Sequence, residues 1–235
     1  MATSSPFGSP RSRAQRQRET REALILAALD AFSRDGYHST SLEGIANRAG
    51  FSKGAIYSNF TGKPDLFLTL MEFNFEMLRD GDWDPFAADD PMRVGEEPPK
   101  ADGGLGAAEM MRGFGLATLE FIATAARDEK LVPALRERMQ MMIDAYTRVA
   151  THARPADENL PSADVALLMT ALDQGTTMLA LSGITSLDPA VVRVGLRRII
   201  DPRSAAADPE PQREGSASFP GVEQVQRLLE GDPRS

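Results

Sequence analysis

The tightest constraint in this chain is a pair of short apolar-periodic segments held one turn apart between Ser39 and Phe67. In STSLEGIANRAGFSKGAIYSNFTGKPDLF, Leu42, Ile45, Ala46 and Ala49 fall at spacings that share one face of a helix. Thr40 or Ser41 stands at the N-cap, and Glu43 follows Thr40 at the capping-box distance. Gly50 ends that helix, supplying a positive φ that a Cβ would resist. Ser52 can then cap a second helix from Lys53 to Phe60, in which Ile56 and Phe60 turn inward against the first. Its outward residues are small, polar or basic, a surface able to approach a groove in DNA.

The run SKGAIYSNFTGKPDLF resembles the recognition-helix signature of TetR-type transcriptional regulators: Ser, Lys-Gly, an aliphatic residue, Tyr, a polar pair, Phe and Lys. The preceding AFSRDGYHSTSLEGIANRAGFS resembles the first two helices of the same family. The likeness spans roughly Glu19 to Leu70, and beyond it only the helical layout corresponds. The resemblance implies an all-α fold of about nine helices: a three-helix helix-turn-helix head and a helical ligand-binding and dimerisation body. It implies that Lys53, Gly54, Ala55, Ser58 and Asn59 approach base edges. Lys suits guanine O6/N7, Asn suits adenine, and Ala55 suits a thymine methyl, while Gly54 keeps the helix slim at the groove. Ser41, Ser52, Tyr57 and Lys63 match positions that hold phosphate. Glu43 departs from a basic or neutral choice. It either caps its helix or accepts from cytosine N4.

Charge supports this division. The chain carries a net −8, yet residues 1–63 hold nine Lys/Arg against five Asp/Glu. A basic head on an acidic body attracts phosphate through its local field rather than through net charge. Arg11, Arg13, Arg16, Arg18 and Arg21 make residues 1–17 either a solvated leader or a flexible basic arm that tracks the backbone or enters the minor groove. With no cysteine in the chain, disulfides, thiolate metal sites and Cys nucleophiles are excluded. The N-terminus has no apolar signal-peptide core and no run is long enough to span a bilayer, so a cytoplasmic protein is expected.

Helix one is expected over Arg18–Arg34 with Gly36 closing it, and the head over 18–63. A fourth helix starts at Lys63–Pro64 and continues to about Arg79; in the TetR family this helix links head to body. Residues 80–104 read as a long acidic loop, dense in Asp, Glu, Pro and Gly. Asp80, Asp82 and Asp84 imitate a calcium loop, but Pro85 and Pro91 stand where its Gly and bidentate Glu belong. Trp83 and Phe86 either cover a pocket or pack on the surface. Helices are expected at 105–126, 133–152, 162–183 and 188–200, completing a body over 64–200. The tail over 201–235 is expected to be mostly disordered, with GVEQVQRLLE at 221–230 a candidate docking helix.

Met71, Phe75, Met110, Phe114, Met139, Met142, Tyr146 and Met169 suggest either plain core or an adaptable apolar pocket. Glu120, Asp144, Asp173, Thr176 and Thr177 are candidates for its directional contacts, and the acidic excess leans toward a neutral or cationic apolar guest. The resemblance implies a dimer in which the last two helices of each subunit form a four-helix interface, with Val191, Val194, Leu196 and Ile199 on the last. His38 and His152 are the only histidines, and no nucleotide loop, nucleophile elbow or metal motif is present, so neither enzyme activity nor a cofactor or metal is expected. The expected function is a homodimeric repressor released from a palindromic double-stranded DNA operator by a small apolar effector. Control by a protein partner through the acidic loop or tail is the alternative, and a helical enzyme the remote one.

Overall fold

Two-turn helices do not persist alone in water, so the short pair read from the sequence needs a scaffold. The computed structural model describes residues 12–75, 78, 83–86, 105–183, 188–207 and 211, and among them every regular element is a helix. α1 (Arg13–Ser39) supplies the scaffold with Leu24, Ala28, Leu29, Ala31 and Phe32 buried along one side. It begins near Arg13 rather than Arg18 because the Ser12 hydroxyl caps it, accepting from Gln15 N at 3.1 Å. Arg13 and Arg16 are therefore helical, not part of an extended arm. Gly36 breaks the helix at φ 77°, as expected, and one further turn runs to Ser39.

α2 (Leu42–Arg48) and α3 (Lys53–Asn59) press Ile45, Ala46 and Ile56 against that scaffold, each fully buried. Gly50 between them has φ 74° and open space where a Cβ would stand, so conformation rather than room demands glycine. Arg48 ties α2 to α1 through Asp30 at 3.1 Å and Asp35 at 2.7 Å. α4 (Lys63–Phe75) starts where Asp65 accepts from Thr61 N at 2.8 Å. Its expected continuation to Arg79 falls mostly outside the described residues.

The body helices are α5 (Ala107–Ala125), α6 (Val132–Ala153), α7 (Ser162–Leu181) and α8 (Pro189–Ile200), all within two residues of the sequence expectation at each end. The chain past Asp201 differs from it. Asp201 caps a short α9 (Pro202–Ala205), accepting from Ser204 N at 2.9 Å, and Ala205 is buried. Four residues of the tail are thereby fixed, while 221–230 lies outside the described residues. No described helix is long and apolar enough to cross a membrane.

Two apolar clusters fill the interior. The first joins α1–α4 to α5, and Phe67 sits at its centre, with ring centroids 4.9 Å from Phe32, 5.1 Å from Tyr37, 5.3 Å from Phe114 and 4.8 Å from Phe121. A boundary between Lys63 and Pro64 therefore cuts through one continuous core. The second cluster gathers Met142, Tyr146, Val165, Met169, Leu196 and Ile200 from α6, α7 and α8. Trp83 packs edge-on against Tyr146 at 5.0 Å and Phe86 lies under Arg197, so both aromatics cover the second cluster.

α1 and α5 touch backbone to side-chain root. A Cβ on Gly113 would stand 2.1 Å from Ser33 O, which no rotamer change can relieve. Gly113→Ala is expected to force the two helices apart and destabilise the chain by about 1–3 kcal/mol or more. Urea unfolding measures this, and an unchanged midpoint would contradict the close contact.

Candidate nucleic-acid interface

The exposed side of α3 is built from its first turn. Ser52 is the N-cap but makes no side-chain capping bond, so its hydroxyl is available. Lys53, Gly54, Tyr57 and Ser58 are exposed, with Tyr57 51% accessible despite its size. A Cβ on Gly54 would meet only Ser52 Oγ at an ordinary 3.7 Å, so packing within the protein does not require this glycine. An outside surface approaching closely would.

Glu43, in the first turn of α2, hydrogen-bonds the Lys53 ammonium, which lies 5.9 Å from the Tyr57 ring centroid. The carboxylate's hydrogen bond and charge push the Lys53 pKa up from its ordinary value. Lys53 is thus held, charged, at the surface edge shared by α2 and α3. Ser41 caps α2, its Oγ accepting from Gly44 N at 3.1 Å. At the far end of α3, Ser58 Oγ and Asn59 Nδ2 both donate to Ala55 O at 2.8 Å. Asn59 is half-buried, and its amide must leave that carbonyl before it can address a base.

Lys63 has a different setting. Its ammonium donates to Tyr37 O at 2.8 Å, Thr40 O at 3.0 Å and His38 O at 3.2 Å, beside the Tyr37 ring at 4.6 Å. Burial lowers its pKa, opposed by the charge of Glu120. The three protons are committed to the carbonyls that end α1, where a cation also complements the helix dipole. A phosphate would have to compete for them.

Glu120 is a correction to the sequence reading. Expected among the effector contacts, it accepts from His38 N at 3.0 Å and sits against Gly36, at the junction of head and body. Asp144 is likewise displaced from any interior, being exposed and bonded to Gln140 at 2.8 Å. Sequence reasoning also missed Arg48, whose two carboxylate partners lie 18 and 13 residues upstream and so leave no local pattern.

The expected apolar lining divides between the two clusters. Met71, Met110 and Phe114 belong to the first with Met139 at its margin, Met142, Tyr146 and Met169 belong to the second, and Phe75 touches both. Asp173 stands beside the second cluster and accepts a hydrogen bond from Tyr146, with Gln174 Nε2 donating to it at 3.0 Å. Desolvation raises the Asp173 pKa despite both bonds, and burial followed by the Asp173 charge pushes Tyr146 well up. Thr176 Oγ1 donates to Asp173 O at 2.8 Å, and Thr177 is half-buried.

Two short helices joined by a tight turn, the second with an exposed outer face, make a helix-turn-helix head that shares one core with α5 of the helical body. Residues 24–70 match the family model described as bacterial regulatory proteins, tetR family. This head is similar in sequence to those of the TetR family of helix-turn-helix regulators. It is 45% identical over 60 residues to the HTH-type transcriptional regulator AcrR of Shigella flexneri, covering 26% of this chain and 28% of that one. It is 36% identical over 63 residues to the HTH-type transcriptional activator FasR of Mycolicibacterium smegmatis, covering 27% and 29%. These alignments span under a third of each of these two relatives. A SmeT–triclosan complex shares the fold at 19% identity, with a TM-score of 0.55 over 83% of this chain and all of that one.

Two outcomes follow from these settings. Lys63→Ala is expected to destabilise the DNA-free protein by about 1–2 kcal/mol, read as a lower Tm. An unchanged Tm with weaker DNA binding would instead assign Lys63 to phosphate. Asp173 has a folded pKa above its unfolded one, so its contribution to stability is present at low pH and lost as pH rises beyond the ordinary carboxylate range. Asp173→Asn is therefore expected to flatten the fall in Tm between acid and neutral pH, and a parallel pH profile in the variant would contradict the burial.

Proposed function

We propose that this protein is a cytoplasmic homodimeric repressor, released from a palindromic double-stranded operator by a small apolar effector. The observation that carries the DNA reading is the open face of α3, where Gly54 is confined by nothing in its own chain but a distant hydroxyl. In this reading Lys53 leaves Glu43 for guanine O6/N7, exchanging an exposed ion pair of small net value for a bidentate base contact. Ser52, Ser41 and Tyr57 meet phosphates, Asn59 and Ser58 read bases at the far end of the helix, and Ala55 meets a thymine methyl.

Dimerisation is supported by α7. Leu167, Leu168 and Met178 are 50%, 51% and 60% exposed, and Gly175 between them has open space around its Cβ position. An uncovered apolar stripe with a small residue at its middle suits close contact with a symmetry-related copy. Two heads so joined would enter successive major grooves about one helical turn apart.

Effector control is supported by the second cluster, where flexible Met142 and Met169 surround the Tyr146–Asp173 pair, and by the neighbouring SmeT structure being a triclosan complex. A ligand stabilising one arrangement of α6 and α7 shifts the population away from the DNA-competent state only through differential affinity. FasR is named an activator, so the sense of regulation rests on a promoter reporter with and without the protein.

Selection of genomic fragments followed by anisotropy at several salt concentrations tests the proposal. A palindrome bound by a dimer is expected; weak binding without sequence preference would sink it. Lys53→Ala and Asn59→Ala are each expected to cost about 1–3 kcal/mol and to relax preference at particular operator positions. Unchanged operator selection in both variants would remove the base-reading assignment.

A further inference from the structure

Opposite charges that pair on an edge offered to DNA weaken its attraction for phosphate, so such a pair needs another use. Glu43 stands in the first turn of α2 and Lys53 in the first turn of α3, and the carboxylate accepts from the ammonium across the gap between the two helices. Ser41 Oγ, not this carboxylate, caps α2 by accepting from Gly44 N at 3.1 Å. Both side chains of the pair are more than half exposed, so their contact contributes little to stability. Neither capping nor folding accounts for Glu43.

The surroundings of the pair are low. Each of its residues is followed by a glycine, and an added Cβ would meet only Ser41 Oγ at 3.1 Å on Gly44 and only Ser52 Oγ at 3.7 Å on Gly54. A groove floor can thus approach the pair closely. The major-groove edge of a G·C pair shows two acceptors, guanine N7 and O6, and then one donor, the N4–H of cytosine. That of A·T alternates acceptor, donor and acceptor before its methyl group. Guanine O6 and cytosine N4 are hydrogen-bonded to each other, as are the Glu43 carboxylate and the Lys53 ammonium. A donor and an acceptor at one hydrogen-bond spacing match an acceptor and a donor at the same spacing.

We propose that Glu43 and Lys53 together read one G·C pair in each half-site, Lys53 donating to guanine O6 and N7 and Glu43 accepting from N4–H of the paired cytosine. The assignment rests on α3 being the helix that reads DNA, and it adds a base contact from α2. The exchange breaks one exposed ion pair and leaves neither group unpartnered. Away from the operator the carboxylate has no such donor and faces phosphates instead. Glu43 thus lowers affinity for DNA at large while keeping it at the operator, and specificity is the difference between the two.

The test is operator selection and anisotropy with the full wild-type chain, Lys53→Ala, Glu43→Ala and Glu43→Gln. Glu43→Ala is expected to lose preference at the same G·C pair as Lys53→Ala, by about tenfold per half-site. The double variant is expected to lose less there than the sum of the two. On a duplex of unrelated sequence Glu43→Gln is expected to bind about threefold tighter or more, with a steeper salt dependence. An unchanged Tm in both Glu43 variants separates base reading from a structural role, whereas a lowered Tm with uniform loss on all DNA would overturn the assignment. A wild-type chain that selects no palindrome would overturn the DNA reading itself. A wild-type palindrome whose G·C preference survives Glu43→Ala, or is lost at a pair other than the one Lys53 reads, would overturn the joint reading alone. Unchanged binding of E43Q to unrelated DNA would overturn the part given to the carboxylate's charge.

Discussion

The contact on which the molecule depends is the one made by Phe67. Its ring touches aromatics from α1 and α5 at once, and it belongs to α4, the helix that leaves the head. α2 and α3 are too short to hold a direction of their own, so their attitude toward DNA is inherited from α1 and α4. Those helices are fixed to α5 by the Phe67 cluster, by the backbone approach at Gly113, and by Glu120 accepting from His38 N. A displacement of α5 therefore displaces the head as well. The tight interior offers few intermediate positions, since packed cores shift between arrangements rather than deform smoothly.

The second constraint is electrostatic and local. A chain of net charge −8 presents a basic head because the carboxylates are concentrated elsewhere and because several within the head are already engaged. Asp30 and Asp35 are occupied by Arg48, and Glu43 by Lys53. The last pair is exposed on both sides, so it holds Lys53 in place at little thermodynamic cost to its release. Lys63, by contrast, faces inward to the carbonyls ending α1, and two lysines ten residues apart acquire unrelated roles.

The helical layout was legible because period and punctuation agreed. Pro64 and Pro189 sit in first turns, Gly50 and Gly36 end helices at positive φ, and the body boundaries fall within two residues of their expected places. The start of α1 was missed because one serine, Ser12, extends a helix whose first turns bury nothing and so show no apolar period. α9 was missed for a similar reason: four residues carry no period, and Asp201 as cap has meaning only once Ala205 finds a buried place. Among the candidate residues, the exposed ones on α3 could be named from a local pattern. Glu120 could not, because its spacing on α5 suits an inward residue and only the crossing of α1 over α5 brings Gly36 and His38 to it.

What the sequence by itself determined was the helices α2 to α8, most of their ends, and the exposed face of α3, since these depend on neighbours within a turn or two along the chain. What only the tertiary structure decided was which helices share a core and which charges meet. The head has no core separate from α5, Lys63 is consumed in capping α1, and the expected apolar lining divides into two clusters. Each of these is a contact between residues far apart in sequence, set by how rigid helices cross, and no local period encodes a crossing.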